Sequence, residues 1–199
     1  MTQSLSAQVQ VGDVLFIHVP MKPFKEVAAA TMSWVNHVGI VVATDGEQPL
    51  VAESTFPRSC FTPLSRFVAR SEGRRVAVSR LHEPLTAAQQ WQLYAAAHKR
   101  LGILYDTGFN LHSGRQFCSK FVREVLAEAT GQEVGEIESF TTLLKRNPEA
   151  RLGFWKVWYF GRIPWQRETV TPVSLLNSPA LKPVFDGRAH ARRVGHAVT

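Results

Sequence analysis

Cys118 stands at the start of an apolar, helix-periodic run, in the segment RQFCSKFV at residues 115–122. A thiol is a good nucleophile only as a thiolate, and a helix N-terminus and a nearby imidazole both stabilise that anion. If the helix starts near Gln116, Cys118 lies in its first turn, where unpaired N–H groups favour negative charge. The pattern Ser113-x-x-Gln116 also fits a capping box, which would put Cys118 in the second turn. We favour the later start, because Gly114 is a poor early helical residue.

His37 is the imidazole that we consider as a partner for Cys118. It is the second residue of the segment NHVGIVVAT at residues 36–44, whose alternation predicts a strand with His37, Gly39 and Val41 on one face. Gly39 has no side chain, so it leaves open space beside the ring. A histidine in this position is usually a hydrogen-bonded structural residue, and a lone cysteine beside an apolar stripe is usually core packing.

Glu53 lies in VAEST, within an otherwise apolar predicted strand, where an unpaired charge would be costly. The strands of His37 and Glu53 are expected to form a hairpin around Asp45-Gly46. An odd-length loop would place the two side chains on one face, and a two-residue loop would place them on opposite faces. Pro49 interrupts pairing and favours a longer loop, so we expect His37 and Glu53 on the same face.

The remaining pattern predicts an α+β domain in which helices pack on an antiparallel sheet. Strands are expected at residues 14–19, 36–44, 50–55 and 75–81, and Thr86 and Gln89 form a capping box for a helix that ends before Gly102. Short helices are expected after Pro23, after Ser139 and at Thr171-Pro172. Residues 154–165, FWKVWYFGRIPW, have the composition of a strand, although their aromatic and basic side chains could also grip a lipid surface or line an acyl pocket.

The motifs GDVLF, NHVGIVV, VAEST, LYDTGF and RQFCSKFV, in this order, resemble the YebB/YiiX-type family of permuted papain-like proteins, which are related to NlpC-type peptidases. The resemblance spans about residues 11–179, and the YebB-like branch is the most similar. It implies a circularly permuted papain-like fold, with an antiparallel sheet or small barrel packed by helices. It also implies that Cys118 is the nucleophile, His37 the base and Glu53 the third catalytic residue.

Two further residues, Tyr105 and Gln116, are candidates for the same site. Tyr105 resembles a family tyrosine near the site, and its hydroxyl could hold an oxyanion or substrate, although it could equally be a core aromatic. Gln116 could offer its side-chain amide, although exposure or capping explains it as well. The backbone N–H of Cys118 is a natural oxyanion donor. Cys60 lacks any helix-start signal and is expected to be an ordinary thiol.

These residues indicate a cysteine hydrolase, a peptidase or amidase that works through an acyl-enzyme on Cys118. One alternative keeps the chemistry but acts on lipids, as a thioesterase or acyltransferase, and another is an inactive binding module. The expected substrates are small peptides, cell-wall amides or acylated lipids. We expect no cofactor and no metal, because the spacing of the other histidines (His18, His82, His98, His112) does not indicate a metal site.

The composition bounds the remaining expectations. The 199 residues fit one domain, which we place at residues 1–183, followed by a flexible basic tail at 184–199. The net charge of +7 comes from dispersed Lys and Arg without a nucleic-acid-binding motif, so nucleic acid is not an expected partner. No segment is apolar enough to cross a bilayer, and the start does not have the pattern of a signal peptide. We therefore expect a cytoplasmic protein, whose oligomeric state the sequence leaves open.

Overall fold

The structure is a computed structural model, and it describes residues 5–189. Within that range the strands and helices are, in chain order, α1 (Leu5–Gln8), β1 (Val14–Ile17), α2 (Phe24–Ala30), β2 (His37–Ala43), β3 (Leu50–Ser54), β4 (Ser59–Pro63), α3 (Leu64–Ala69), β5 (Arg75–Leu81), α4 (Ala87–Lys99), α5 (Cys118–Thr130), β6 (Ile137–Ser139), α6 (Phe140–Arg146), α7 (Gly153–Trp158), β7 (Glu168–Val170), α8 (Pro172–Leu176) and β8 (Leu181–Arg188). The expected α+β organisation is confirmed.

One six-stranded antiparallel sheet forms the centre of the molecule, in the order β4-β3-β2-β1-β5-β8. In the described part of the chain β4 and β8 do not pair with each other, so the sheet is open and is not a closed barrel. The short strands β6 and β7 form a second sheet. Because both faces of the large sheet are covered, its central strands are almost entirely buried.

Alternate side chains of the central strands enter two separate cores. Phe16 and Ile40 point to the core that contains α4 and α5. Ile17 and Val41 point to the opposite core, where Phe67 of α3 packs. This alternation is the two-residue period of a strand, used here on both faces.

Helix α4 begins and ends, and helix α5 begins, where the sequence predicts. Thr86 caps α4 and forms the capping box with Gln89. Helix α5 ends at Gly131, whose φ of 73° gives the left-handed conformation that favours glycine at a helix C-terminus. The apolar face of α5 packs on β2 and β3, which fixes the N-terminus of α5 relative to the hairpin that carries His37 and Glu53.

The segment Phe154–Trp165 does not form the expected strand. Its first part is helix α7, followed by turns. The aromatic residues that suggested a strand also have helical spacing, because Trp155 stacks on Tyr159 and Phe154 stacks on Trp158. Aromatic pairs at i,i+4 stabilise a helix, so this aromatic-rich composition is compatible with a helix as well as with a strand.

Strand β8 extends five residues beyond residue 183, so the expected domain boundary falls inside a strand. It pairs with β5 from Leu181↔Leu81 to Arg188↔Arg75. The strand was missed because it is an edge strand with mostly exposed side chains and a proline, and so lacks the alternation of a half-buried strand. The rest of the expected tail, residues 190–199, lies outside the described residues.

Candidate active site

The β2–β3 hairpin places His37 and Glu53 on the same face of the sheet. The loop between Ala43 and Leu50 has six residues, an even number that would by itself separate the two side chains. A β-bulge between Val41 and Ala43 shifts the register by one residue and restores the shared face. The longer loop was expected from Pro49, but the bulge has no signal in the sequence.

His37 and Glu53 are in direct contact. Nε2 of His37 lies 2.6 Å from Oε2 of Glu53, and both side chains are completely buried. A buried carboxylate needs further partners, and two residues of the following segment supply them. Thr62 donates its hydroxyl to Oε1 at 2.6 Å, and Arg70 donates from Nη2 to both carboxylate oxygens at 2.7 and 2.6 Å.

Thr62 and Arg70 are site residues that the sequence reasoning missed. Thr62 lies on β4, whose register puts Cys60 directly opposite Glu53 and so brings the Thr62 hydroxyl beside the carboxylate. Arg70 is the C-terminal cap of α3. The available signal was the unpaired charge of Glu53, which required a donor, but nothing along the chain indicated which arginine would supply it.

The contacts shift the pKa values of both members of the pair. Burial lowers the pKa of His37, but Cys118 and Glu53 outweigh burial and raise it from 6.5 to about 9. Burial raises the pKa of Glu53, but His37 and Arg70 outweigh burial and lower it from 4.5 to about 2. Between these two values the pair is an imidazolium beside a carboxylate.

The His37 ring is enclosed by aromatic side chains. Phe24 meets it edge-on at a centroid distance of 5.7 Å, and Phe67 lies at 5.8 Å. The space that we expected Gly39 to leave open is filled by Phe67, because a Cβ at Gly39 would lie 2.8 Å from its ring. Gly39 therefore lets Phe67 approach the imidazole and fix its orientation.

Cys118 is the first residue of α5 and has an exposed fraction of only 3%. The N-cap residue is Phe117, which provides no side-chain hydrogen bond, so the later helix start is correct. Ser113 does not form the alternative capping box, and its hydroxyl donates to Asp106 instead. The free N–H groups of the first turn of α5 therefore surround the sulfur-bearing residue.

Cys118 lies close enough to His37 to influence the pKa of the imidazole. Because Glu53 occupies Nε2, the ring nitrogen that remains for a further contact is Nδ1, which is buried and has no hydrogen-bond partner among residues 5–189. The side chain of Cys118 is one of the groups that raise the pKa of His37. The cysteine, the imidazole and the carboxylate that the sequence predicts as catalytic are thus contributed by three elements, α5, β2 and β3.

Tyr105 lies beside Cys118 with its hydroxyl buried. Within residues 5–189 that hydroxyl has no hydrogen-bond partner, which is unusual for a buried polar group. Burial and negative charge on Cys118 both raise the pKa of Tyr105, while the backbone N–H of Cys118 acts in the opposite direction. The phenol is therefore a protonated donor next to both the sulfur and the main chain of Cys118.

Gln116 forms hydrogen bonds to neighbouring residues through both its side chain and its backbone. Its side-chain N–H donates to Glu124 at 2.8 Å, and its backbone carbonyl accepts from the Asp106 N–H at 2.6 Å. Lys120 donates to the carbonyls of Ser113 and Arg115 at 2.5 and 3.0 Å, which fixes the same loop. The oxyanion role of Gln116 stays a prediction, and in this structure its side-chain amide joins the loop in front of Cys118 to Glu124 of α5.

An apolar cavity of about 100 Å³ adjoins Cys118. Its walls come from α2, α6, α7 and the segment after α7, and they include Phe24, Leu144, Trp155, Tyr159 and Trp165. The aromatic residues of 154–165 thus form a wall of the site, although not as a strand. A substrate group that enters beside Cys118 meets a mostly hydrocarbon surface.

The remaining thiol and imidazoles lie outside this arrangement. Cys60 is half-buried on β4, its Sγ lies 3.5 Å from the Thr62 hydroxyl, and burial raises its pKa. His112 is exposed and contacts Glu168 at 2.7 Å. In residues 5–189 no group of three or more His, Cys, Asp or Glu side chains is placed to hold a metal ion.

Comparison with known proteins gives consistent matches over most of the chain. Residues 8–185 match the family described as permuted papain-like amidase enzymes, YaeF/YiiX, C92 family. The chain is 30% identical over 177 residues to the uncharacterized protein YiiX of Escherichia coli K12, covering 89% of this chain and 86% of that protein. The crystal structure of the metalloprotein YiiX from Escherichia coli O157:H7 superposes with a TM-score of 0.83 at 29% identity, covering 91% of this chain and 99% of the other.

These matches confirm the YiiX-type resemblance and the permuted fold, while the narrower YebB-like assignment stays a prediction. In papain the nucleophile precedes the histidine, whereas here the order is histidine, acid, cysteine, as a circular permutation would produce. The chain belongs to the YaeF/YiiX family of permuted papain-like amidases.

Proposed function

We propose that this protein hydrolyses an amide bond through an acyl-enzyme on Cys118, with His37 and Glu53 as the other catalytic residues. The observation that carries the proposal is the fully buried contact of 2.6 Å between His37 and Glu53, next to a cysteine in the first turn of a helix. A buried charged pair is costly for a fold and is typical of sites that tune a nucleophile.

The proposed reaction begins with the thiolate of Cys118 and the imidazolium of His37. The sulfur attacks the carbonyl carbon, and the tetrahedral oxyanion accepts hydrogen bonds from the Cys118 N–H and the Tyr105 hydroxyl. His37 then gives its proton to the leaving nitrogen as the C–N bond breaks. The neutral imidazole next takes a proton from water, which attacks the thioester, and the acid product leaves as the S–C bond breaks. Glu53 orients the ring throughout and stabilises its charged form.

Labelling with iodoacetamide tests the nucleophile. We expect the wild type and Cys60→Ala to be alkylated rapidly at one site, and Cys118→Ala to lose that rapid reaction. Intact-mass spectrometry followed by peptide mapping gives the site and the rate. Similar rates at both cysteines, or a rate at Cys118 equal to that of a free thiol, would favour the inactive binding module over an enzyme.

A second candidate is acyl chemistry on lipids, because the cavity beside Cys118 is lined almost entirely by apolar side chains. Such a lining suits an acyl chain better than the polar backbone of a peptide or cell-wall fragment. Incubation with acylated lipids and with short peptide amides, each followed by rapid acid quenching, separates the candidates. A fatty-acyl mass retained on Cys118 only with lipids would support the lipid-directed enzyme, and turnover of the amides alone would support the peptidase.

No step is assigned to a metal. A related structure is described as that of a metalloprotein, but the described residues of this chain provide no cluster of ligands near Cys118 or elsewhere. Among these residues there is also no helix long and apolar enough to cross a membrane. The cytoplasmic location and the absence of a nucleic-acid partner stay predictions.

A further inference from the structure

Helix α7 separates the cavity from the surface and has a different chemistry on each side. Trp155 and Tyr159 line the cavity. On the outer side Val157 has an exposed fraction of 78% and Phe160, just after the helix, one of 94%. An almost fully exposed phenylalanine next to an exposed valine forms an apolar patch in contact with water. Single exposed apolar residues, which are common on protein surfaces, form no such patch.

Neither the backbone conformation nor the packing of the fold explains why residue 160 is a phenylalanine. Its φ of 50° is in the left-handed region, where a bulky side chain is unfavourable and asparagine or glycine is preferred. Its side chain is almost entirely exposed, so packing does not compensate for this conformation. An aromatic residue that neither the backbone nor the core requires indicates a contact outside this chain.

The charge around α7 indicates what that contact is. From residue 145 to residue 167 the chain carries six Lys and Arg but only one acidic residue, Glu149. Arg151, Lys156 and Arg162 are exposed, and within residues 5–189 none of them has an ion-pair partner. Exposed apolar side chains flanked along the chain by unpaired cations match the surface of an anionic bilayer, where the hydrocarbon lies beneath negative headgroups.

We propose that the outer face of α7, defined by Lys156, Val157, Phe160 and Arg162, docks on an anionic lipid membrane. The two apolar side chains enter the interface and the cations contact the headgroups. With only two apolar anchors the attachment is weak and reversible. The docked helix places the wall of the cavity against the membrane, but the proposal rests on the exposed residues and does not require that Cys118 is catalytic.

Co-sedimentation with vesicles tests the docking. We expect the protein to bind vesicles of phosphatidylcholine and phosphatidylglycerol more strongly than phosphatidylcholine alone, and less strongly at high salt. Phe160→Asn, which suits the left-handed backbone, should weaken binding about tenfold or more. Removal of charge in Lys156→Gln and Arg162→Gln should weaken it by about fivefold for each residue.

Trp91→Gln is the matched control, because Trp91 of α4 is also exposed, at 71%, and lies outside the proposed surface. It should bind vesicles like the wild type. Absence of wild-type binding, or equal losses in Trp91→Gln and Phe160→Asn, would overturn the proposal. The proposal would also be overturned if sedimentation velocity showed a wild-type dimer that Phe160→Asn dissociates. That result would assign the surface to a second copy of the chain. Cys118→Ala should bind vesicles like the wild type. The docking proposal can therefore fail or succeed independently of the catalytic proposal.

Discussion

At the scale of single residues, the site depends on how Glu53 is held. Three side chains, His37, Thr62 and Arg70, donate to one buried carboxylate, so its orientation is fixed from several directions. The imidazole is in turn fixed between Glu53 and two aromatic rings. Because these contacts restrict each group to one orientation, the imidazole near Cys118 is held in a defined orientation.

Arg70 is expected to be a positioning residue. Arg70→Met should lower kcat/KM by about 10- to 100-fold, the equivalent of the roughly 1.5–3 kcal/mol of a charged hydrogen bond. Arg70→Lys should restore part of the activity, because it replaces the charge but not the two-oxygen contact. Arg66→Met is the control, since Arg66 is an exposed arginine of the same helix. Equal activity of the Met variants at positions 66 and 70 would show that Arg70 does not support the site.

The pKa of Glu53 predicts a pH dependence of stability. Its value is lowered from 4.5 when unfolded to about 2 when folded, so its contribution is complete above about pH 4.5 and is lost as the pH falls toward 2. The full contribution is on the order of 3 kcal/mol. Urea unfolding of the wild type and Glu53→Gln should give free energies that differ most at pH 6 and converge toward pH 3. A difference that does not change with pH would contradict the linkage.

At the scale of elements, the hairpin of β2 and β3 and the start of α5 do most of the positioning. Strands β1, β2, β3 and β5 and both long helices were predictable, because alternation, the Thr86 capping box and Gly131 are local signals. The bulge after Val41 and the position of Arg70 were not, because they depend on pairing between segments distant in sequence. Helix α7 was missed because its aromatic residues fit both a strand and a helix.

Gly39 gives a test of the hairpin. A Cβ at this position would lie 2.7 Å from Val51 and 2.8 Å from the ring of Phe67, neither of which can move freely in the core. Gly39→Ala should therefore destabilise the protein by about 1–3 kcal/mol and, by displacing Phe67 from His37, also lower activity. Chemical denaturation and kcat/KM measure the two effects.

Gly46→Ala is the control in the same hairpin, where the nearest atom to the new Cβ is 3.9 Å away. It should change neither stability nor activity appreciably. If Gly39→Ala behaved in the same way, the packing of Phe67 on the imidazole would not be a constraint on the site.

At the scale of the whole molecule, the sheet and its two cores bury His37 and Glu53 and place Cys118 in the wall of an apolar cavity. The carboxylate and imidazole are fully buried and Cys118 is nearly so, while the cavity adjoins the sulfur. The sequence could indicate the family and the three catalytic candidates, but not the cavity, because its walls come from α2, α6 and α7, which are far apart in the chain.

The cavity predicts a preference for apolar acyl groups. Within a series of amides with a common leaving group, kcat/KM should rise with acyl length, at most by about fourfold per methylene, the equivalent of roughly 0.8 kcal/mol. Trp155→Ala should flatten this dependence, because Trp155 lines the cavity. Trp158→Ala, in the same helix but outside the lining, should keep it. A length dependence unaffected by Trp155→Ala would place the acyl group elsewhere.

The central claim is that His37 and Cys118 form one reactive unit, and the rate of alkylation of Cys118 as a function of pH tests it most directly. The measurement compares Cys60→Ala with the double variant Cys60→Ala/His37→Gln. With the pKa of His37 raised to about 9, the imidazolium remains beside the sulfur at neutral pH, so we expect rapid alkylation that changes little between about pH 6 and 8. In the double variant the rate should be low at pH 6 and rise steeply with pH. Identical curves for the two proteins would contradict the proposed catalytic unit.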